Sequence, residues 1–408
     1  MGFDEKTAAE RAHGSMARVP AADLLHGVVG VAEQDGRWVR PLRFSEEQLR
    51  ALGSCQAWHP GLYRQMARTT SGVTVEFETD AREVALELRV DAEPRATRSV
   101  LELLDQPAGM APQPHDGVSA DVDGRHLWCG MPEVGTSLVR IELAGSDPED
   151  ALGLQPLPGM GRTRLVRIWL PALRGCEVRD LLHDGSFVRP VPQRGCLLAL
   201  GDSITQGFVS EDPAHAWPAL FASRLKLDLV NQGLAGQVFQ PDTLYGLAGL
   251  LKVERIVVAY GANYRQEPCG AQLVSREIRS YLAELARLWP KVPVQVISPL
   301  WHDEQAAPTH PRSCYAQIPD FISTAAAAHE QMSFVDGLEL VEHETALLAD
   351  GAVHPNERAH RKIATRLNAV MRIPGLRPSS VGRRRPKKTA RKAAPQPPED
   401  DAPRLPLA

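Results

Sequence analysis

The first half of the chain alternates short apolar runs with turn residues, and several of these runs alternate apolar and polar side chains. The clearest is 73–77, which reads Val-Thr-Val-Glu-Phe and places its apolar side chains on one face of a strand. Similar runs recur between residues 36 and 190, at 38–42, 84–90, 100–104, 118–122, 138–143 and 165–170. Short strands with one buried face each predict an antiparallel, jelly-roll-like β-sandwich.

After Gly195 the pattern changes to apolar runs that alternate with helical segments. Strands are predicted at 197–200, 227–230, 255–259, 294–297 and 334–335, with helices between and after them, including 217–225, 274–289 and 357–371. Alternation of strand and helix predicts an α/β domain with a doubly wound, flavodoxin-like parallel sheet in a three-layer arrangement.

These patterns divide the chain into four parts. We expect a flexible N-terminus at 1–25, the β-sandwich at 26–190, the α/β domain at 194–374 and a disordered tail at 375–408. Pro190, Pro192 and Gly195 mark the linker between the two domains. The tail holds a basic run at 383–392 and then Pro-rich and acidic residues, with little to bury. A basic run can bind nucleic acid or an anionic surface, but a solvated tail is the interpretation we favour.

Composition narrows the classes of function without choosing one. The 408 residues are 43% hydrophobic and 24% charged, with a net charge of -4 at pH 7, which gives no indication of nucleic acid as a required partner. No apolar stretch approaches the about 20 residues that a membrane-spanning helix needs. Residues 1–18 lack the apolar core of a secretory signal, so we expect a cytoplasmic protein.

The sequence has no pattern that predicts a metal or a cofactor. Its six cysteines are scattered without Cys-x-x-Cys spacing, which favours free thiols over a zinc site or a disulfide framework. His-x-x-x-His spacing, glycine-rich dinucleotide loops and Walker-type loops are absent from the sequence as well. We therefore expect neither a metal nor a cofactor.

One serine stands out as a candidate nucleophile. The apolar run at 196–200 ends in Gly201-Asp202-Ser203. Reacting groups of α/β proteins lie just past the carboxyl ends of the strands, and this is where the pattern puts Ser203. Gly-Asp-Ser also occurs in ordinary turns, so the motif alone leaves a turn without chemistry as an equal alternative.

Three further blocks each follow an apolar segment and begin at a turn. They are Asn-Gln-Gly-Leu-Ala-Gly-Gln at 231–237, Tyr-Gly-Ala-Asn at 260–263 and Asp-Gly-Ala-Val-His-Pro-Asn at 350–356. With Gly-Asp-Ser at 201–203, they make the chain resemble the SGNH, or GDSL, hydrolase family over about residues 194–372. The four blocks of that family are a Ser in Gly-Asp-Ser, a Gly, an Asn and a late Asp/His pair, and they occur here in the same order.

The resemblance implies a role for each block. Ser203 would be the nucleophile, and its backbone N–H, the N–H of Gly236 and the side-chain amide of Asn263 would form the oxyanion hole. His354 would be the base, a role that suits an imidazole with a pKa near 6.5, and Asp350 would orient it. Glycine suits position 236 because a backbone without a Cβ can approach the substrate closely.

The chain departs from the family pattern at two positions. The family normally has Asp-x-x-His, whereas three residues separate Asp350 from His354. The extra residue could swing the carboxylate away from the ring, although some relatives work with a Ser/His pair and a backbone carbonyl. Tyr264 stands where the family often has an acid, a position expected at the edge of the site.

The resemblance implies a cofactor-free serine esterase that acts on a small acyl ester or an acylated sugar. It is similar to carbohydrate deacetylases and to GDSL acyltransferases, which also pair a β-sandwich with this catalytic domain. Two alternatives stay open: an acyltransferase that moves the acyl group to an alcohol, and a non-catalytic binding protein with the same fold.

Three other parts of the sequence hold aromatic or titratable residues outside the four blocks. Residues 58–63 (Trp-His-Pro-Gly-Leu-Tyr) resemble the Tyr-bearing entry segment of β-sandwich modules fused to GDSL enzymes, or are a loop between strands. His302 and Asp303 fit a surface loop better than a pocket wall. Trp217 is expected to pack at the start of a helix.

Overall fold

The computed structural model of the chain describes residues 16–95, 116–143 and 162–371. Residues 1–15, the strand expected at 100–104 and the tail expected at 375–408 lie outside these ranges. Strands β1–β12 span Ala17–Pro20, Leu25–His26, Gly30–Glu33, Val39–Leu42, Thr74–Thr79, Glu83–Val90, Val118–Val122, Arg125–Gly130, Gly135–Glu142, Arg164–Trp169, Cys176–His183 and Val188–Pro190. Strands β13–β17 span Cys196–Gly201, Asp228–Gly233, Val253–Ala259, Val294–Ile297 and Met332–Val335. Helices α1–α7 span Glu46–Leu52, Pro60–Met66, Ser203–Gln206, Trp217–Leu225, Ala271–Leu288, Ile318–Ala326 and Glu357–Met371.

Strands β1–β12 form two antiparallel sheets that share one buried core. Sheet A has the order β3-β4-β11-β6-β9, with β1 also paired to β11, and sheet B has the order β12-β5-β10-β7-β8, with β2 paired to β5. Phe77 and Ile168 of sheet B and Leu86 and Val178 of sheet A are all fully buried in this core. The antiparallel sandwich predicted from the alternating pattern is therefore confirmed.

The pattern missed several elements of this region. β11 lies in the middle of sheet A, yet its sequence Cys-Glu-Val-Arg-Asp-Leu-Leu-His is interrupted by charges. Those charges are paired: Glu177 of β11, for example, accepts a hydrogen bond from Arg40 at 2.7 Å. Ion pairs across the sheet let polar positions form a strand that the local pattern does not predict.

The predicted flexible N-terminus is wrong for residues 17–25. Strand β1 pairs with β11 over its whole length, and Leu24 and Leu25 are buried against the sandwich core. The error arises because these apolar residues form no run long enough to show a period. Their order depends on distant partners, since β1 pairs with β11 and Leu25 pairs with Val75 of β5, which the local pattern cannot reveal.

Strands β13–β17 form the predicted parallel sheet, with the order β14-β13-β15-β16-β17. Alternate residues of β13 face opposite sides: Leu197 packs in a cluster with helices α4 and α7, and Leu198 packs in a cluster with α5 and α6. Helices thus cover both faces, and the α/β three-layer prediction is confirmed. The carboxyl ends of β13, β14 and β15 are neighbours, and this edge carries three of the four sequence blocks.

A segment between β4 and β5, with helices α1 and α2, ties the sandwich to edge strand β14. Its central residue is Arg43, which is fully buried and donates hydrogen bonds to Asn231 O at 2.6 Å and Gly233 O at 3.1 Å. The same guanidinium donates to Thr69 O at 2.7 Å and Met66 O at 3.0 Å. These bonds place α2 at the carboxyl end of the parallel sheet.

Candidate active site

Ser203 lies at the end of a strand and the start of a short helix. Strand β13 ends at Gly201, and Asp202 caps α3 by accepting a hydrogen bond from the Ile204 backbone N–H at 3.0 Å. The helix ends at Gly207, whose φ of +89° suits a residue without a Cβ. This sharp turn leaves Ser203 partly exposed between a buried strand and a buried helix.

The late Asp/His pair lies beside this serine. His354 Nε2 is 2.9 Å from Ser203 Oγ, and His354 Nδ1 is 2.6 Å from Asp350 Oδ2. The His354 and Asp350 side chains are 16% and 17% exposed, so both are shielded from bulk water but can be reached from it. Ser203 and the Asp/His pair, 151 positions apart in sequence, thus form one continuous hydrogen-bonded chain.

The extra residue between Asp350 and His354 does not move the carboxylate away from the ring. Asp350 Oδ1 accepts hydrogen bonds from the backbone N–H groups of Ala352, Val353 and His354 at 3.0, 2.8 and 3.0 Å, and Oδ2 stays free to face the imidazole. Gly351, with a φ of +66°, allows the tight loop. Burial raises the pKa of Asp350, but its hydrogen bond and charge interaction with His354 and these backbone N–H groups outweigh that, so the pKa lies well below its usual range.

Neighbouring backbone holds the His354 loop at both ends. Ala349 N–H donates to His354 O at 2.7 Å, and Asp303 N–H donates to Ala352 O at 2.8 Å. Asp303 Oδ1 accepts from the Gln305 N–H at 2.9 Å, and a ring nitrogen of His302 lies 2.8 Å from Glu304 Oε2. His302 and Asp303 therefore belong to a loop that braces the site, which agrees with the interpretation we favoured for them.

Gly236 lies in the turn after β14, with a φ of +78°. The hydroxyl of Tyr63, from helix α2, donates to Gly236 O at 2.8 Å. A Cβ at position 236 would lie 2.9 Å from Leu62 Cδ2, so helix α2 packs directly on this turn. On the other side, Ala235 N–H donates to Gln206 Oε1 at 2.9 Å, which ties the turn to the helix that begins at Ser203.

Asn263 lies in a short 3-10 turn, 262–265, that follows β15. Its side-chain Nδ2 donates one hydrogen bond to Gln237 O at 2.9 Å, and its second amide hydrogen has no acceptor among the described residues. Gly261 precedes it with a φ of +122°, and a Cβ there would lie 2.9 Å from both Ile318 Cγ2 and Pro299 Cγ. The turn is thus fixed by close packing, while the amide keeps a free donor.

Residues 199–362 match the model of the GDSL-like lipase/acylhydrolase family. These residues form a GDSL-like domain. The family consists of acyl hydrolases, so the match supports an ester-hydrolysing enzyme. A comparison with curated proteins finds no significant match.

Solved structures share the whole two-part layout. A salicylyl-acyltransferase from a tetracycline biosynthetic pathway is similar with a TM-score of 0.66 and 18% identity over 88% of this chain and 99% of its own. A GDSL-like lipase structure from Bacteroides ovatus matches with a TM-score of 0.63 and 16% identity over 87% and 97%. A family two carbohydrate esterase from Cellvibrio japonicus matches with a TM-score of 0.56 and 12% identity over 88% and 97%. At these identities the likeness establishes the fold.

Helix α2 is a part of the site that the sequence left undecided. Residues 58–63 were predicted as either an entry segment or a loop, and Pro60 in fact begins a helix whose Tyr63 is fully buried against the GDSL-like domain. Trp58 packs edge-on against Tyr264, with ring centroids 5.2 Å apart. Tyr264 is completely buried, so the expectation that it lies at the edge of the site is wrong: its ring fills the core beneath α2.

A small cavity lies behind the serine turn of the GDSL-like domain. Its volume is about 20 Å³, enough for a water molecule, and its wall includes Asp202, Tyr260 and Ser298. Burial raises the pKa of Asp202 to about 7. Trp217 also lines this cavity, and its backbone N–H donates to His360 Nδ1 at 3.2 Å, so it packs at a helix start as expected. No helix in the described part of the chain is long and apolar enough to cross a membrane.

Proposed function

We propose that this chain is a serine esterase that cleaves a small acyl ester through an acyl-Ser203 intermediate. The observation that carries the proposal is the hydrogen-bonded chain from Ser203 Oγ through the His354 ring to Asp350, with distances of 2.9 and 2.6 Å. A nucleophile bonded to a base, and that base bonded to a third group, is the arrangement that activates a serine hydroxyl at neutral pH.

In the first half of the reaction, Ser203 Oγ attacks the acyl carbon while His354 Nε2 takes its proton. Asp350 holds the ring with Nδ1–H toward the carboxylate, so Nε2 is the nitrogen that lacks a proton and can accept one. Because the pKa of Asp350 lies far below its usual range, this group is a carboxylate at every pH where His354 acts as a base. The bond from carbon to the leaving oxygen then breaks, and that oxygen takes the proton from Nε2.

The negative charge that forms on the acyl oxygen needs donors fixed in advance. We assign this role to the backbone N–H groups of Ser203 and Gly236 and to the second amide hydrogen of Asn263. The last of these is supported by its missing acceptor, and Gly236 by the packing of helix α2 on its turn and by the hydrogen bond from Tyr63 to its carbonyl oxygen. Preorganised donors stabilise the transition state without a cost of reorganisation.

In the second half, water attacks the acyl carbon while His354 Nε2 takes a proton from it. The bond between carbon and Ser203 Oγ breaks, Oγ recovers its proton from Nε2, and the carboxylic acid leaves. An alcohol in place of water would yield a new ester by the same steps. A small acyl ester or an acylated sugar is the substrate class we propose, in keeping with the esterase and acyltransferase relatives of the fold.

The test compares wild type with Ser203→Ala and with Ser223→Ala, an exposed serine on helix α4. We expect wild type and Ser223→Ala to hydrolyse p-nitrophenyl acetate and to react with a fluorophosphonate probe, and Ser203→Ala to do neither. Equal behaviour of wild type and Ser203→Ala would refute the proposal and leave a binding protein. If turnover accelerates when small alcohols are added, the acyl group goes to an alcohol rather than to water.

A further inference from the structure

A second cluster of histidines and carboxylates joins the sandwich to the GDSL-like domain. His126 lies on strand β8, and Asp212 and His215 lie at a 3-10 turn, 213–215, in the segment between helices α3 and α4. One ligand atom from each of these three residues lies within 4.8 Å of the other two. The proposed esterase chemistry uses none of these side chains.

His126 and Asp212 contact each other, and each is also held by hydrogen bonds to neighbouring residues. His126 Nε2 is 3.0 Å from Asp212 Oδ2, while its Nδ1 is 3.1 Å from Asp121 Oδ1 on strand β7. Asp212 Oδ1 accepts from Ser119 Oγ and from the Ala214 N–H, both at 2.8 Å. A carboxylate behind a histidine, which fixes its tautomer and orientation, is the usual support of a metal-binding imidazole.

His215 completes the set. Its ring centroid is 4.4 Å from that of His126, and its Nδ1 is buried without a hydrogen-bond partner among the described residues. The same Nδ1 is 3.3 Å from Glu357 Oε1 at the start of helix α7. Arg361 Nη2 lies 3.2 Å from His215 Nε2, and the same guanidinium donates to Glu357 Oε1 at 2.6 Å.

The cluster of His126, Asp212 and His215 differs from a second cluster in how its carboxylate charges are balanced. His26, Glu76 and Asp228 also come together, but Arg167 donates to Glu76 at 2.7 Å and Arg194 pairs with both carboxylates, so their charge is already balanced. At the His126 cluster, Asp121 and Asp212 both contact His126, and Glu357 lies beside His215. Arg361 pairs with Glu357, whereas Asp121 and Asp212 have His126 itself as their ion-pair partner in the described part of the chain.

We propose that His126 Nε2, Asp212 Oδ2 and His215 Nδ1 bind a Zn²⁺ ion, with Glu357 or a water as the fourth ligand. Neighbouring ligands of a tetrahedral zinc are about 3.3 Å apart. His126 Nε2 and Asp212 Oδ2 are 3.0 Å apart, one ligand atom from each of the three residues lies within 4.8 Å of the other two, and His215 Nδ1 is 3.3 Å from Glu357 Oε1. Two imidazoles and a carboxylate are a ligand set found in zinc sites with an open fourth position. The ion would tie strand β8 of the sandwich to the segment that follows Ser203 and to helix α7, which follows His354.

Sequence spacing does not reveal this site. His126 lies on a strand of the sandwich and Asp212 lies 86 positions later at the start of a 3-10 turn, so no short motif contains them both.

The experiment uses the full-length chain after treatment with a chelator and dialysis. Titration with ZnCl₂ is expected to give one site per chain, weakened about 100-fold or more in His126→Ala, His215→Ala and Asp212→Asn. Asp121→Asn, which alters only an outer contact, should weaken binding about tenfold. The control His302→Ala removes another histidine paired with a carboxylate and should bind zinc like wild type.

Two further readouts do not depend on these variants or on esterase activity. Excess zinc should raise the unfolding midpoint of wild type by about 3 °C or more, because it binds only the folded chain. Co²⁺ should give the visible absorption of a four- or five-coordinate site, and zinc should abolish it. The proposal is overturned if wild type shows no saturable zinc site and no cobalt spectrum. It is equally overturned if both histidine variants keep wild-type affinity.

Discussion

The two halves of the candidate active site are held in different ways. In the His354 loop, the hydrogen bonds of Asp350 go to residues within four positions of it. The Gly236 turn is held by Tyr63, 173 positions away, and its strand by Arg43, 188 positions from Asn231. The first half is a local structure of the GDSL-like domain, and the second depends on a helix from the N-terminal region.

This difference shows where the N-terminal region contributes to the chemistry we propose. Nucleophile, base and orienting carboxylate of the proposed reaction all come from the GDSL-like domain, and the N-terminal region reaches them through Ser71, which donates to Gln206 O in the helix that begins at Ser203. The proposed oxyanion hole depends on that region more directly, because Tyr63 holds the carbonyl group of Gly236, whose N–H is one of the proposed donors. Substitutions in the two halves should therefore affect rate by different amounts and through different steps.

The largest effect is expected from Asp350→Asn in the local half. An asparagine can still accept backbone hydrogen bonds, but it no longer balances the charge on His354 and favours the wrong ring tautomer, so kcat should fall about 1000- to 10000-fold. Steady-state hydrolysis of p-nitrophenyl acetate measures this, with Asp303→Asn in the neighbouring loop as the control. A loss below about tenfold would mean that another group orients His354.

The next effect is expected from Asn263→Ala. Loss of one oxyanion donor typically costs about 100- to 1000-fold in kcat, and the KM for a small ester should change little because the contact forms in the transition state. Circular dichroism should show an unchanged fold, since the other bond of this amide goes only to Gln237 O. A variant that raises KM and leaves kcat intact would place Asn263 in substrate binding instead.

A smaller effect is expected from Tyr63→Phe, which tests the distant half directly. The change removes the hydrogen bond to Gly236 O and leaves the ring in place, and a net loss of about 1 kcal/mol corresponds to a decrease in kcat of about fivefold. Tyr245→Phe, at an exposed tyrosine, is the matched control. Wild-type kcat in Tyr63→Phe would show that helix α2 does not position the oxyanion hole.

The smallest effect is expected on the pH dependence of folding stability, and it comes from Asp202, the neighbour of Ser203 in the GDSL-like domain. Burial raises its pKa to about 7, so between pH 4 and pH 7 the unfolded chain has lost this proton and the folded chain retains it. The contribution of Asp202 to stability is thus present below pH 4 and falls as pH rises to 7. Asp202→Asn removes this dependence. The free energy of unfolding of the variant, relative to that of wild type, should therefore increase from pH 4 to pH 7, by at most about 1.4 kcal/mol per pH unit. A difference that does not vary with pH would mean that Asp202 is ionised in the folded chain.

Much of the parallel-sheet domain could be predicted from the sequence because its information is local. Strand β16 and helices α4 and α7 have the predicted bounds, and three of the four blocks come together because neighbouring parallel strands end at one edge. The doubt about the Asp350 spacing could not be settled from the sequence. It depended on whether one carboxylate oxygen could accept all the loop N–H groups and leave the other for His354.

The parts that were missed depend on distant contacts. Strand β11 needs cross-strand ion pairs, strand β1 needs β11 as a partner, and the role of Tyr63 needs a turn that lies 173 positions away. The His126 cluster is of the same kind. None of these features leaves a periodic or short-range signal in the chain.

The central claim is that Ser203 carries the acyl group, and one measurement addresses it directly. Wild type is mixed with p-nitrophenyl acetate, the reaction is quenched with acid during turnover, and peptides are mapped by mass spectrometry. We predict one acetyl group, on Ser203, which chases away when the substrate is exhausted and is absent from Ser203→Ala. Turnover with no acetyl group on Ser203, or with the acetyl group on another residue, would contradict the account.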